Sequence, residues 1–223
     1  MTTAAPSITD SELQREVEQE LRWDPSVAPA SIGVSASDHT VSLSGTVYSY
    51  SSHLAAVGAA KRVKGVRAIA DDIVVDIVVE STPGHTDHEI AEFAEHAMEW
   101  STSVPSTVRA TVRDGVLTLD GEVDWDFQRR AAKLAVTHIA GIRNLIDDIV
   151  LKPVPSAHDV HDRIATALRR AADVDATNIH VTSNAGHVTL TGSASSWAER
   201  ERVQHTAWSA PGVTNVSDNL VIR

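Results

Sequence analysis

Three stretches of this chain decide its fold: VSLSGTV at residues 41–47, LTLDGEV at 117–123 and VTLTGSA at 188–194. In each, apolar residues alternate with polar ones and a glycine follows, which is typical of a β-strand with one buried face. A second glycine comes 20 residues after the first in every copy. The pattern predicts three tandem copies of one unit. The glycine pairs are Gly45 and Gly65, Gly121 and Gly141, and Gly192 and Gly212.

Each copy starts with a predicted helix. A hydroxyl residue followed three positions later by an acid is typical of a capping box or its close relative, and apolar residues four apart predict one buried helix face. The cap residues and their acids are Thr9 and Glu12, Thr86 and Glu89, and Ser156 and Asp159.

A hairpin, a second helix and a third strand follow. Short-turn signals predict the hairpins, and the second glycine of each copy predicts the end of the second helix. The turns are Asp38-His39, Asp114-Gly115 and Ala185-Gly186, and the second helices span about 51–63, 126–139 and 196–209.

The fold class is therefore α+β, with three α-β-β-α-β units. A strand-helix-strand crossover makes the third strand parallel to the second, so each unit is a mixed three-stranded sheet with two helices on one face. The other face is left thinly covered and available for packing between units or for a partner. The predicted domains are 9–80, 86–152 and 156–223, with short linkers at 81–84 and 152–156.

Composition excludes several classes of function. There is no cysteine, which rules out disulfides, thiolate metal sites and cysteine nucleophiles. The net charge of −11 opposes phosphate polymers and anionic lipids. The chain begins without a signal peptide and holds no long apolar stretch, so we expect a cytoplasmic protein.

The glycine after strand two, the helix, and the segments GVRAIADDIVV, GIRNLIDDIVL and GVTNVSDNLVI resemble the BON domain, named for bacterial osmotically induced and nodulation proteins. The resemblance covers nearly the whole chain, three times. It implies a non-enzymatic binding domain of the kind found in osmotic and envelope stress proteins, in phospholipid-binding lipoproteins and in a small cytoplasmic potassium-binding protein.

Two groups of residues are candidate sites. Acidic pairs at the predicted entrance of the third strand could collect oxygen ligands for a cation, although the same residues also favour turns. Aromatic residues at the start of the second helix could enter a membrane interface or hold a partner, or pack in the seams between units. The first group is Asp71, Asp72, Asp147, Asp148, Asp218 and Asn219; the second is Tyr50, Trp125, Phe127 and Trp197.

Other tryptophans and the histidines favour structural roles. Trp23, Trp100 and Trp208 are interpreted as helix-end core. The pairs His85 with His88 and His158 with His161 have helical spacing but no third ligand, so we predict no metal site. No cofactor motif and no catalytic constellation is present, and we expect no enzyme activity.

The sequence thus favours a stress-associated scaffold that binds an unknown protein partner or a second copy of itself. A monovalent or divalent cation is the second hypothesis. Membrane binding is the third, and the acidic charge disfavours it. Nucleic acid is disfavoured because the GXXG loop of KH domains and a basic stripe are both missing.

Overall fold

The structure is a computed structural model that describes residues 8–27, 32–76, 85–153, 160–170 and 176–223. These residues form three successive units of helices and strands. Unit 1 holds α1 (Asp10–Trp23), β1 (Ile32–Ser37), β2 (Thr40–Val47), α2 (Tyr50–Arg62) and β3 (Ala68–Val75). Unit 2 holds α3 (Asp87–Trp100), β4 (Arg109–Arg113), β5 (Val116–Val123), α4 (Asp126–Val136) and β6 (Asn144–Leu151). Unit 3 holds α5 (Val160–Arg170), a short 3-10 helix (Ala176–Asn178), β7 (Ile179–Asn184), β8 (His187–Ala194), α6 (Trp197–Trp208) and β9 (Asn215–Ile222).

Each unit forms its own three-stranded sheet, with the second strand in the middle. The first and second strands are antiparallel and the second and third are parallel, with the same register in the parallel pair of all three units. The predicted mixed sheet and the α-β-β-α-β order are confirmed.

The core of each unit lies between the sheet and its two helices. In unit 1, Leu13 and Val17 of α1 are fully buried against Leu43 of β2 and Ala59 of α2. The helix contributes residues four apart and the strand contributes alternate residues, as their periods require. The same arrangement gives unit 2 and unit 3 separate clusters of buried apolar residues.

Helix starts in the first two units follow the predicted capping chemistry. The Thr9 hydroxyl accepts a hydrogen bond from the Glu12 amide, while the Glu12 carboxylate accepts from the Thr9 amide at 2.9 Å. Thr86 and Glu89 repeat both contacts. The backbone N–H of the cap residue holds the pKa of both glutamates below its usual value. The third predicted box, at 156 and 159, lies outside the described residues.

The glycine of the fold-defining stretch lies inside the second strand, not after it as predicted. Gly121 has φ of 121° within β5, and a Cβ there would stand 2.2 Å from the carbonyl oxygen of Thr107. No side chain fits in that gap. The backbone at Thr107, just before β4, can therefore approach β5 at this point only because the residue is glycine. Gly45 and Gly192 have the same placement, with φ of 127° and 115°.

The second glycine lies past the end of the second helix. α2 ends at Arg62, and Gly65 follows in the turn before β3 with φ of 100°. A Cβ on Gly65 would lie 2.8 Å from the side chain of Ile8. The residue therefore serves both the left-handed backbone and the close approach of the segment that leads into α1.

Candidate functional site

The three units meet through their second helices. At the seam between units 1 and 3, the indole Nε1 of Trp197 donates to the carbonyl oxygen of Val66 at 3.1 Å. Lys61 lies 5.2 Å from the Trp197 ring and forms an ion pair with Glu201 at 3.0 Å. An open groove of about 530 Å³ runs beside these residues, between α2 and the start of α6. Trp197, which was predicted either to hold a partner or to pack in a seam between units, is thus half-buried in a seam.

The other two seams are formed by different residues. Trp208, at the end of α6, packs against the cores of units 2 and 3, and the Arg129 guanidinium of α4 lies 4.2 Å from its ring. Tyr50, at the start of α2, packs against the core of unit 2. Burial raises the pKa of the Tyr50 phenol, and the charge of Asp71 adds to the effect. Each unit therefore touches both others, and the three second helices face inward.

The outer sheet faces stay open in this arrangement. Val74, Val150 and Val221 occupy the same position in the three units, 29 residues after the repeat glycine, and are 58–63% exposed. Among the described residues, the contacts that join the units come from the second helices and their ends and not from the open sheet faces. Those faces are therefore available to a partner.

The acidic pairs lie in the middle of the third strand, not at its entrance as predicted, because each strand begins three residues before the first acid. Successive strand residues point to opposite faces. Asp71, Asp147 and Asp218, here called the inner aspartates, therefore point towards the second helix. Asp72 and Asp148, the outer aspartates, point away from it with Asn219, and all three are exposed.

Each inner aspartate has a partner on the second helix. Asp218 accepts from Nε of Arg200 and Nε2 of Gln204, both at 2.6 Å. Asp147 lies 3.2 Å from Nζ of Lys133 and 3.9 Å from Nε of Arg129. An oxygen of each inner aspartate also accepts from the backbone N–H two residues on. These carboxylates are engaged by protein donors, which offset their charge.

Unit 1 differs at this position. Eight residues after the repeat glycine, units 2 and 3 have Arg129 and Arg200, whereas unit 1 has His53. The Nε2 atom of His53 lies 2.6 Å from Asp71, and its Nδ1 atom is buried with no hydrogen-bond partner. The contact between second helix and third strand is thus retained, with imidazole in place of guanidinium.

The remaining candidate ligands do not come together. Among the described side chains, no group of three or more His, Cys, Asp or Glu residues is placed to hold a metal ion. His85 lies 4.0 Å from Glu89, and His88 lies 3.6 Å from Glu92, each within helical spacing. His158 is outside the described residues, and so is the side chain of His161.

The other aromatic residues are exposed. Trp125 and Phe127, at the start of α4, are 43% and 51% exposed. Trp23 and Trp100 end α1 and α3 and are 83% and 89% exposed, so the prediction of helix-end core is wrong for both. Trp23 lies two residues beyond the buried Leu21, which is about 200° around a helix and therefore on its outer side.

Several functional contacts were not predicted from the sequence. The Asp10 carboxylate accepts from the amides of Asp38 and His39 at 3.0 and 3.2 Å, and these bonds lower its pKa. Asp87 makes the same contact with the hairpin turn of unit 2. Both acids occupy the first helical position after the cap. An alignment of the repeats would therefore have shown that the same acid recurs at this position in units 1 and 2.

Comparison with known proteins agrees with this architecture. The BON domain model matches residues 9–77, 86–153 and 156–223. The chain belongs to the BON-domain family. Domains of this family are generally binding modules without catalytic activity. No curated protein sequence matches the chain. Within the described residues, no helix has the length and apolar character needed to cross a bilayer.

Two solved structures are similar to the BON-domain chain. One is the C-terminal domain of CdsD, the structural protein of the type III secretion system of Chlamydia trachomatis, at 14% identity and a TM-score of 0.27, covering 97% of this chain and 100% of that one. A second structure of CdsD gives 14% identity and a TM-score of 0.26, covering 95% and 92%.

Proposed function

We propose that this chain is a non-catalytic scaffold whose three BON domains form one body and present their outer surfaces to protein partners. The observation that carries the proposal is the inward placement of the second helices, since it uses one side of every unit for the seams and leaves the sheet faces outside. The family resemblance supports a role in osmotic or general stress.

The outer faces of the three units share one exposed apolar position. The outer face of unit 1 carries serine and threonine on β1 and β2, and the third strand of each unit adds an exposed valine. A single exposed valine is ordinary for a soluble protein. The same exposed valine at the same position in all three units gives a partner three similar contacts, and linked contacts of that kind raise the overall affinity.

The test compares the intact chain with a variant in which Val74, Val150 and Val221 are all replaced by aspartate. Proteins cross-linked to each in extracts of the native cell are quantified, and melting temperatures confirm that both forms fold. We expect specific proteins on the original chain that are lost from the variant. Identical sets of proteins on both forms would refute binding through the sheet faces. Light scattering across concentration shows whether a second copy is the partner.

A second candidate function is binding to a membrane surface, favoured by the exposed side chains of Trp125 and Phe127 at the start of α4. A tryptophan at a helix start can enter the interface of a bilayer. Sedimentation with zwitterionic vesicles tests this, because anionic lipid would oppose the net charge of −11. Binding that is equal in the original chain and in Trp125→Ala would exclude this contact.

A further inference from the structure

The end of α3 differs in charge from the ends of the equivalent helices. α3 has no basic residue in its last turn, whereas α1 has Arg22 and α5 has Arg169 and Arg170. Glu99 stands in α3 at the position that Arg22 and Arg169 occupy. The carboxyl end of a helix carries partial negative charge, so an acid there is unfavourable unless a cation is near.

Within the part of the chain that the structure describes, the acids at this end have no cation of their own. Glu12 and Arg22 in α1 bond within that helix or its cap, and Arg22 lies 3.7 Å from Glu18. For Glu95 and Glu99, by contrast, the described part of the chain provides no ion pair within 4 Å. The negative charge of the α3 end is therefore available to a partner.

A cleft with an apolar floor lies beside these acids. It has a volume of about 390 Å³ between the last turns of α3 and the segment that enters β4. Met98 and Val108 form its floor, each about nine-tenths buried, and Val104 and Pro105 form one wall. Glu95 and Glu99 form the opposite rim. The cleft can take an aliphatic side chain while the rim holds a cation next to it.

Trp100 completes the surface. It follows Glu99, ends α3 and is 89% exposed. A tryptophan ring attracts Lys and Arg through its face, and tryptophan is enriched among the residues that dominate protein interfaces. In β4, which directly follows Val108, Arg109 and Arg113 alternate with less exposed residues and therefore lie on the outer sheet face, where they repel a basic chain. A basic partner is thus directed to the α3 side.

We propose that this surface, formed by Glu95, Glu99, Trp100 and the cleft beside them, binds a basic polypeptide segment of a protein partner that carries an aliphatic side chain between lysines or arginines. The proposal rests on the scaffold function and identifies the chemistry of one partner. The acids supply charge complementarity, the cleft receives the aliphatic group and the indole contacts a cation.

The probe is a fluorescein-labelled peptide of lysines and alanines around a central leucine, measured by anisotropy with the full chain at low and at physiological salt. A peptide with glutamate in place of lysine is the control ligand. We expect saturable binding of the basic peptide that weakens with salt, and none of the acidic peptide. Absence of saturable binding to the basic peptide overturns the proposal.

Three variants locate the site. Glu99→Arg, which introduces the residue type of α1 and α5, should weaken binding about tenfold because it reverses a charge at the rim. Trp100→Ala should weaken it about threefold to fivefold through loss of the cation-π contact. Trp23→Ala, on the equivalent helix end with a basic neighbour, should leave it unchanged. Equal losses in Trp23→Ala and Trp100→Ala would overturn the assignment to unit 2.

Folding does not confound these variants, because Trp100 and Glu99 are both exposed. Melting temperatures within a degree or so of the original chain are expected. Failure of the peptide test, with valine-dependent partners still captured, would leave the scaffold proposal standing. Loss of both would remove the proposed function as well.

Discussion

Replacing Trp197 by alanine should weaken the seam between units 1 and 3 more than the same replacement of any exposed tryptophan does. Its indole Nε1 donates to the carbonyl oxygen of Val66, and its ring lies 5.2 Å from Lys61 and 5.2 Å from the guanidinium of Arg200. The hydrogen bond to Val66 and the contact with Lys61 connect Trp197 to residues of unit 1, about 130 positions earlier, whereas the Arg200 contact lies within α6. The two contacts with unit 1 are absent when the units separate, so their loss reports on the assembled body.

The magnitude follows from the contacts. The hydrogen bond contributes about 1 kcal/mol to the free energy of unfolding. Each cation-π contact at a partly exposed site adds about 0.5–1 kcal/mol. The sum is about 2–3 kcal/mol, which corresponds to a fall of about 4–12 °C in melting temperature for a cooperative chain of this length. Trp197→Phe keeps an aromatic face but loses the donor and part of the ring, so it should cost at least about 1 kcal/mol.

Calorimetry of the full chain is the assay. Trp125→Ala is the control, since Trp125 is 43% exposed and its side chain has no hydrogen bond or cation-π contact with another unit among the described residues. We expect the Trp197→Ala transition to move to lower temperature and to split, because units that have lost a seam unfold less cooperatively. If Trp197→Ala and Trp125→Ala unfold within about 0.5 kcal/mol of each other, the seam does not stabilise the body.

Three further predictions concern the charged groups. Asp218→Asn should cost about 1–3 kcal/mol in urea unfolding because it leaves Arg200 without its carboxylate, while Asp71→Asn, at a more exposed site, should cost less than about 1 kcal/mol. The folded pKa of Glu12 and of Glu89 is lowered, so their stabilisation is present above the unfolded pKa and is lost as pH falls through the folded one. A variant with glutamine at both positions should therefore lose less melting temperature between pH 5 and about 3 than the original chain does. If the acidic pairs form a cation site, the melting temperature should rise selectively in potassium, sodium or calcium chloride at matched ionic strength, and alanine at the outer aspartates should abolish the rise. Because the inner aspartates already have protein partners, we expect the melting curves in the three salts to coincide.

The secondary structure could be predicted because its signals are local. The alternation in VSLSGTV sets the buried face of β2, and Thr9 with Glu12 sets the start of α1, whatever lies elsewhere in the chain. The prediction failed where the geometry of the helix was not applied to its last residues. Trp100 is not helix-end core as predicted, because its position two residues after the buried Met98 places it on the outer side of α3.

The seams could not be predicted because they join residues far apart in sequence through units whose orientation has no local signal. Lys61 and Glu201 are both ordinary exposed-type residues, and nothing in the repeat pattern brings them within 3.0 Å. The contacts of the inner aspartates could be predicted only in part. Their recurrence is visible in the sequence, but only the folded units show that each faces the residue eight positions after the repeat glycine, which is His53, Arg129 or Arg200.

The three seams also fix which surface of each unit lies against which neighbouring unit. Sixteen residues after the repeat glycine, unit 1 has Lys61, unit 2 has Thr137 and unit 3 has Trp208. Lys61 finds Glu201 and the ring of Trp197, whereas Trp208 finds Arg129. A lysine in place of Trp208 would meet the cation of Arg129, so exchanging units costs favourable contacts and adds repulsion. Because the seams discriminate in this way, each outer surface has a fixed place in the body. The acidic end of α3 therefore stands at a defined position relative to the basic ends of α1 and α5, and a single basic segment has one site on the scaffold rather than three.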